Sequence, residues 1–125
     1  MTPNPDNYCS LELSQRLVDA GIVLETEKVW VHYYVPSKKE WRWVIYYKKD
    51  ITGTFKTIPA PNLSELWREL PGRIDNLRLT AMRMSKGTTI VGYINPADMC
   101  WVCKFDEYNP CDALAELCIW VEGEI

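Results

Sequence analysis

Apolar positions change their spacing several times along this chain, and each change marks an element. Leu13, Leu17 and Ala20 recur at i, i+4 and i+7, the repeat of one helix face. Ser10 precedes them, where its hydroxyl accepts from an unpaired first-turn N–H, and Gly21 follows as the left-handed stop. The pattern predicts a helix over 11–20. Two runs rich in β-branched and aromatic residues come next, Val29–Val35 and Trp41–Tyr47, with Pro36-Ser37-Lys38-Lys39-Glu40 between them. They predict an antiparallel hairpin. Its alternation leaves no polar face: Val29, Val31, Tyr33 and Val35 lie on one side of the first strand, Trp30 and Tyr34 on the other. Trp41, Trp43, Ile45 and Tyr47 alternate with Val44 and Tyr46 on the second.

Beyond the hairpin, residues 50–55 read as a turn or short loop and Pro59-Ala60-Pro61 as a stiff extended piece. Asn62 opens a helix with Glu65 three residues on, a capping box, and Leu63, Leu66, Trp67 and Leu70 form its apolar stripe before Pro71-Gly72. Residues 77–84, 88–94 and 99–105 read as strands separated by turns at Ser85-Lys86-Gly87 and Asn95-Pro96. Asn109 then caps a closing helix with Pro110 at its first position and Asp112 in its first turn; Leu114, Leu117, Cys118 and Val121 are its buried stripe. The order α β β α β β β α, with short links and no βαβ alternation, predicts one α+β domain over residues 1–125. It has an antiparallel sheet of about five strands with three helices mainly on one face, and residues 1–9 form a flexible lead.

Composition changes this picture little. The 125 residues are one domain's worth, and 47% hydrophobic content is enough for a core. Six Trp and seven Tyr against two Phe are unusual, because such rings serve interfaces as well as cores. A net charge of −3 disfavours sequence-independent nucleic-acid binding, although Lys38, Lys39, Arg42, Lys48 and Lys49 crowd one aromatic-rich segment. No signal-type leader or membrane-length apolar run is present, so the expected setting is a reducing cytoplasm in which the five Cys are thiols.

Candidate chemistry is thin. Cys100-Trp101-Val102-Cys103 is a single CxxC in a strand, where residues three apart face opposite ways, and Cys118 lies in a core stripe. Neither a four-thiolate zinc site nor a helix-capped redox pair fits that context, so no metal or cofactor is expected. His32, the sole histidine, sits mid-strand. No HExxH, GxSxG, P-loop or GxGxxG occurs. Asp106-Glu107 reads as a solvated turn, and Arg78 and Arg83, an odd distance apart, fall on opposite faces of their strand. The chain is therefore not expected to be an enzyme.

Three stretches carry a resemblance: Cys9–Ile22, Ile58–Pro71 and Asn109–Trp120. With a leading helix, a Pro-Ala-Pro-Asn-Leu-Ser-Glu-Leu helix and a closing Asn-Pro-Cys-Asp-Ala-Leu-Ala-Glu-Leu helix, the chain resembles a set of small uncharacterised bacteriophage and prophage proteins. Cys111 stands where that set usually has Ala. The likeness covers about a third of the chain, all helical, and brings no catalytic residues. It implies a phage or prophage gene product working in a bacterial cytoplasm. Together with the two-sided aromatic hairpin it points to an accessory protein that binds a host or phage protein, with countering of host defence one such role, through Trp30, Tyr34, Trp41, Arg42, Trp43 and Tyr46. Two other readings stand beside it. One is a nucleotide-type small-molecule binder that stacks a base on these rings and meets phosphate with Arg42 or Arg78. The other is a structural homo-oligomer that covers the apolar sheet face.

Overall fold

The computed structural model describes residues 7–51, 53 and 55–124; Met1–Asp6 of the expected lead, and Thr52 and Thr54 of the expected loop, lie outside them. The α+β class, the antiparallel pairing and the three helices are present. In chain order the elements are α1 (Leu11–Asp19), β1 (Lys28–Val35), β2 (Glu40–Tyr47), β3 (Lys56–Pro59), α2 (Leu63–Glu69), β4 (Arg73–Ile74), β5 (Leu77–Arg83), β6 (Thr89–Asn95), β7 (Cys100–Glu107) and α3 (Pro110–Glu124).

Among the described residues the strands number seven rather than the expected five or so, and they divide into two sheets, β2-β1-β3 and β4-β5-β6-β7. β3 pairs on the free edge of β1 as far as Pro59, and Ala60 N–H adds one more bond, to Lys28 O at 3.1 Å. Pro59 and Pro61, the neighbours of Ala60, face the outer side of β3 and offer no N–H to a further strand there, and the chain then turns into α2. The aromatic hairpin therefore belongs to a sheet separate from the one the closing helix covers.

α3 lies against β6 and β7 on one side and against α1 and α2 on the other. A helix in that position must be apolar nearly all round, and Cys111, Ala113, Leu114, Ala115, Leu117, Cys118 and Val121 are all buried. Leu13 and Leu17 of α1, Leu66 and Leu70 near α2, and Val91 and Tyr93 of β6 complete this core. The Tyr93 phenol, fully buried, donates to the Pro71 carbonyl at 2.7 Å. All three predicted caps form, Asn109 Oδ1 accepting from Cys111 N–H at 2.9 Å. Ser10 Oγ accepts from Leu13 N–H, and Asn62 and Glu65 make the reciprocal capping box at 2.9 Å each way. α1 ends one residue short of the expected position, at Asp19, and Gly21 takes a φ of +81°. In α2 the expected stripe is only half covered: Leu66 is buried, whereas Leu63 and Trp67 are 48% and 44% exposed.

The expected flexible lead does not extend through its last residues. Tyr8 and Cys9 are buried. Cys9 N–H donates to Pro61 O at 3.0 Å, Asn109 Nδ2 to Tyr8 O at 2.9 Å, and Ser10 N–H to Asp112 Oδ1 at 2.7 Å. The start of α3 thus clamps the segment entering α1, so Asn109 and Asp112 make long-range bonds in addition to local caps. Burial pushes the Cys111 and Cys118 thiols up to about 12 and raises Cys9 as well, which keeps them poor nucleophiles.

The same end of α3 carries a pH dependence. Glu116 is pushed up to about 7 by partial burial and by a hydrogen bond and charge repulsion from Glu107, against the opposing pull of Arg16. A carboxyl whose pKa rises on folding binds its proton more tightly in the folded state. Its contribution is complete below the ordinary glutamate value and disappears as pH climbs through 7. Unfolding free energy is expected to fall between about pH 4.5 and 7, and Glu116→Gln to flatten that slope. Because the group is largely solvated, the gain at pH 8 is under about 1 kcal/mol. Urea titrations across this range check it.

Candidate interaction surface

The three-stranded sheet is anchored at one end and free at the other. The anchor is built on Trp30, which packs with Ile45, Ala60 and Tyr8 and donates its indole N–H to the Cys9 carbonyl at 3.1 Å. Beside it Lys28 is buried; its ammonium hydrogen-bonds the Tyr8 hydroxyl and lies 4.4 Å and 4.5 Å from the Tyr8 and Tyr47 ring centroids. Aromatic faces and a phenolic oxygen replace a carboxylate partner for this cation.

The register assigns every ring to a face. Trp30 opposes Ile45, His32 opposes Trp43 and Tyr34 opposes Trp41, and residues directly opposite in an antiparallel pair share a face. On this face His32 stacks on Trp43 at 4.6 Å and 16°, and lies 4.9 Å from Trp41, which is 5.5 Å from Tyr34. The Lys56 ammonium is 5.9 Å from the Trp43 ring. The other face carries Val29, Val31 and Tyr33 opposite Tyr46, Val44 and Arg42, with Tyr33 edge-on to Tyr46 at 6.4 Å. Arg42 reaches Glu40 at 2.5 Å, both partners exposed, a contact worth under about 1 kcal/mol.

Of the six residues singled out in the sequence, Tyr34, Trp41 and Trp43 are brought together. Arg42 and Tyr46 fall on the opposite face, and Trp30 sits in the anchor. Exposure rises toward the free end: Trp41 is 63% exposed, Tyr34 45% and Tyr46 38%. A cavity of about 800 Å³ opens here, lined among others by Val31, Tyr34, Trp41, Tyr46, Phe55 and Lys56. Sequence reasoning did not single out His32, Phe55 or Lys56 for this surface. His32 was legible from period two, since it shares a face with Trp30 and Tyr34. Phe55 and Lys56 arrive only because β3 pairs on the far edge of β1.

Charge is distributed as unevenly as the rings. Residues 28–59 hold seven cations, Lys28, Lys38, Lys39, Arg42, Lys48, Lys49 and Lys56, against Glu40 and Asp50, in a chain of net charge −3. The rest of the protein is correspondingly acidic, and a bipolar charge distribution of this kind orients encounter with a charged surface.

The cysteines do not gather at one site, although Cys9 Sγ donates to the Cys111 carbonyl at 3.3 Å in the core. Cys100 is exposed and Cys103 half-buried, as expected for strand residues three apart, and Cys9, Cys111 and Cys118 are buried. Among the described residues no group of three or more His, Cys, Asp or Glu side chains has the placement of a metal site. Among the described residues, too, no helix is long and apolar enough to cross a membrane. No protein-family model matches the chain, and neither a curated protein nor a solved structure matches it.

Proposed function

We propose that this chain acts by binding rather than by chemistry, and that the free end of its three-stranded sheet engages an acidic, partly apolar surface of a partner protein. The carrying observation is the exposure of Trp41 and Tyr34 within a strongly cationic sheet of an otherwise acidic molecule. Exposed large rings beside cations are the composition of interface hot spots. With the resemblance of the helices to small phage proteins, the proposed setting is a bacterial cytoplasm and the proposed partner a host or phage protein, a defence component among the candidates.

Affinity capture from infected and uninfected bacterial lysate, with wild type and Trp41→Ala in parallel, tests this. The expected result is a partner retained by wild type and lost about tenfold or more with Trp41→Ala, with retention falling as salt rises. Capture that is indifferent to Trp41→Ala, or no specific capture in either lysate, removes the proposal.

A second reading is favoured by the cavity itself. On one face Tyr34 and Trp41 offer rings, and Lys56 a cation, to a planar anionic ligand such as a nucleotide. A melting-temperature rise with one member of a nucleotide panel, abolished by Lys56→Ala, would support it; a flat response across the panel excludes it.

A further inference from the structure

A second cavity, of about 520 Å³, lies between α2, the start of α3 and strands β5 and β6. Leu63 and Trp67 of α2, Ala81 and Val91 of the sheet and Leu114 of α3 give it apolar walls. It explains the incomplete burial of the α2 stripe: Leu63 and Trp67 face this opening instead of a neighbouring element. Arg68 and Arg83 also line it, and among the described residues neither forms an ion pair.

The strand bordering the groove has an open edge. β4 pairs with β5 only at Leu77 and Arg78, and Leu79 N–H adds one bond outward, to Gly72 O at 3.0 Å. In an antiparallel ladder successive residues direct their main-chain groups alternately to one side and the other. Leu79 points outward and Met84 N–H points inward, to Thr88 O at 2.8 Å. Ala81 and Arg83 therefore direct their N–H and C=O groups outward, where among the described residues no strand pairs with them. These are the two β5 residues whose side chains line the groove.

We propose that this edge accepts an extended acidic–apolar peptide segment as an added strand, with an apolar side chain entering the groove beside Ala81 and an acidic one meeting Arg83. Strand addition supplies affinity through the main chain and specificity through alternate side chains. Charge selects the occupant. The open stretch of β5 presents Arg83 and no acidic residue, Arg78 being already opposite Arg73 of β4, so pairing two copies there brings the two Arg83 side chains close, which is unfavourable across strands. An acidic strand is complementary to Arg83 and to Arg68 of the groove. This site is independent of the aromatic end of the other sheet.

The probe is an end-capped peptide of threonines bearing one leucine and, two positions on, one aspartate, so that both project from one face of a strand. It is titrated to about 1 mM into the isotope-labelled full chain and followed by NMR. The expected result is saturable movement of the Ala81 and Arg83 amide signals and the Trp67 indole signal. Lysine in place of the aspartate should weaken binding about tenfold, and Arg83→Glu, an exposed substitution that leaves the core untouched, should reverse that preference. N-methylation of the peptide at the paired residues should abolish binding, while Trp41→Ala should leave it unchanged. No movement at any concentration overturns the proposal. Binding that survives N-methylation does so too, because it reduces the groove to a side-chain pocket. Movement that tracks protein concentration without peptide overturns it in favour of pairing between copies.

Discussion

Gly92→Ala is expected to lower the unfolding free energy by about 3 kcal/mol, the scale of core overpacking. Gly92 lies on β6, paired on both sides, opposite Thr80 of β5 and Lys104 of β7. A Cβ there would sit 2.0 Å from the Cys103 carbonyl oxygen and 2.9 Å from both Cys103 C and Lys104 Cα. All three are backbone atoms, so no side-chain rotation relieves the clash. β6 and β7 would have to separate, beside the irregularity in register at Tyr93/Ile94, with loss of the ladder bonds that hold the sheet beneath α3. The residue's importance is steric and unrelated to turn conformation. Gly123 gives the contrast: a Cβ there meets nothing within 4 Å, and alanine should be neutral or stabilising by up to about 1 kcal/mol. Urea unfolding of both variants decides the matter, and a Gly92→Ala midpoint equal to wild type would show that β6 and β7 are not as closely apposed as this contact requires.

That contact was illegible in the sequence, where Gly92 is one small residue in an apolar run. What was legible is local. The Asn62/Glu65 capping box, the Ser10 cap, the Gly21 stop and the start of the closing helix depend on residues three or four apart, and each formed. The opposite faces of Arg78 and Arg83 follow from period two, which is also local. Sheet membership is not. β3 is four residues long, and only its pairing across the chain with Val29–His32 makes it a strand, so neither the split into two sheets nor the arrival of Lys56 beside Trp43 had a sequence signal. The α2 stripe was read correctly as apolar, but periodicity reports that Leu63 and Trp67 share a face, not that something covers it. For the same reason the aromatic hairpin read as one uniform surface, although Tyr8 and Cys9, from a segment expected to be a loose lead, occupy one end of it.

That unevenness sets the second large effect. Trp30→Ala is expected to cost about 3 kcal/mol, whereas Trp41→Ala, two-thirds exposed, should stay within about 0.5 kcal/mol of wild type. Trp30 packs with Tyr8, Ile45 and Ala60 and binds the Cys9 carbonyl, and Cys9 is in turn tied to Pro61 and, through its thiol, to Cys111 O. Truncating the ring opens a cavity between the three-stranded sheet and the segment that the start of α3 clamps, and it leaves the Cys9 carbonyl with only the longer bond from Ser14 Oγ, at 3.4 Å. Trp30→Phe separates the contributions: most of the packing stays and only the N–H is lost, so a loss nearer about 1 kcal/mol is expected. The contrast matters for function as well as stability. If binding resides at the free end, Trp41→Ala should abolish capture in a fully folded protein, while Trp30→Ala should reduce it only in proportion to unfolding. Should Trp30→Ala leave the unfolding midpoint unchanged yet abolish capture, the anchor would itself be the interface, and the direction assigned to this sheet would be reversed.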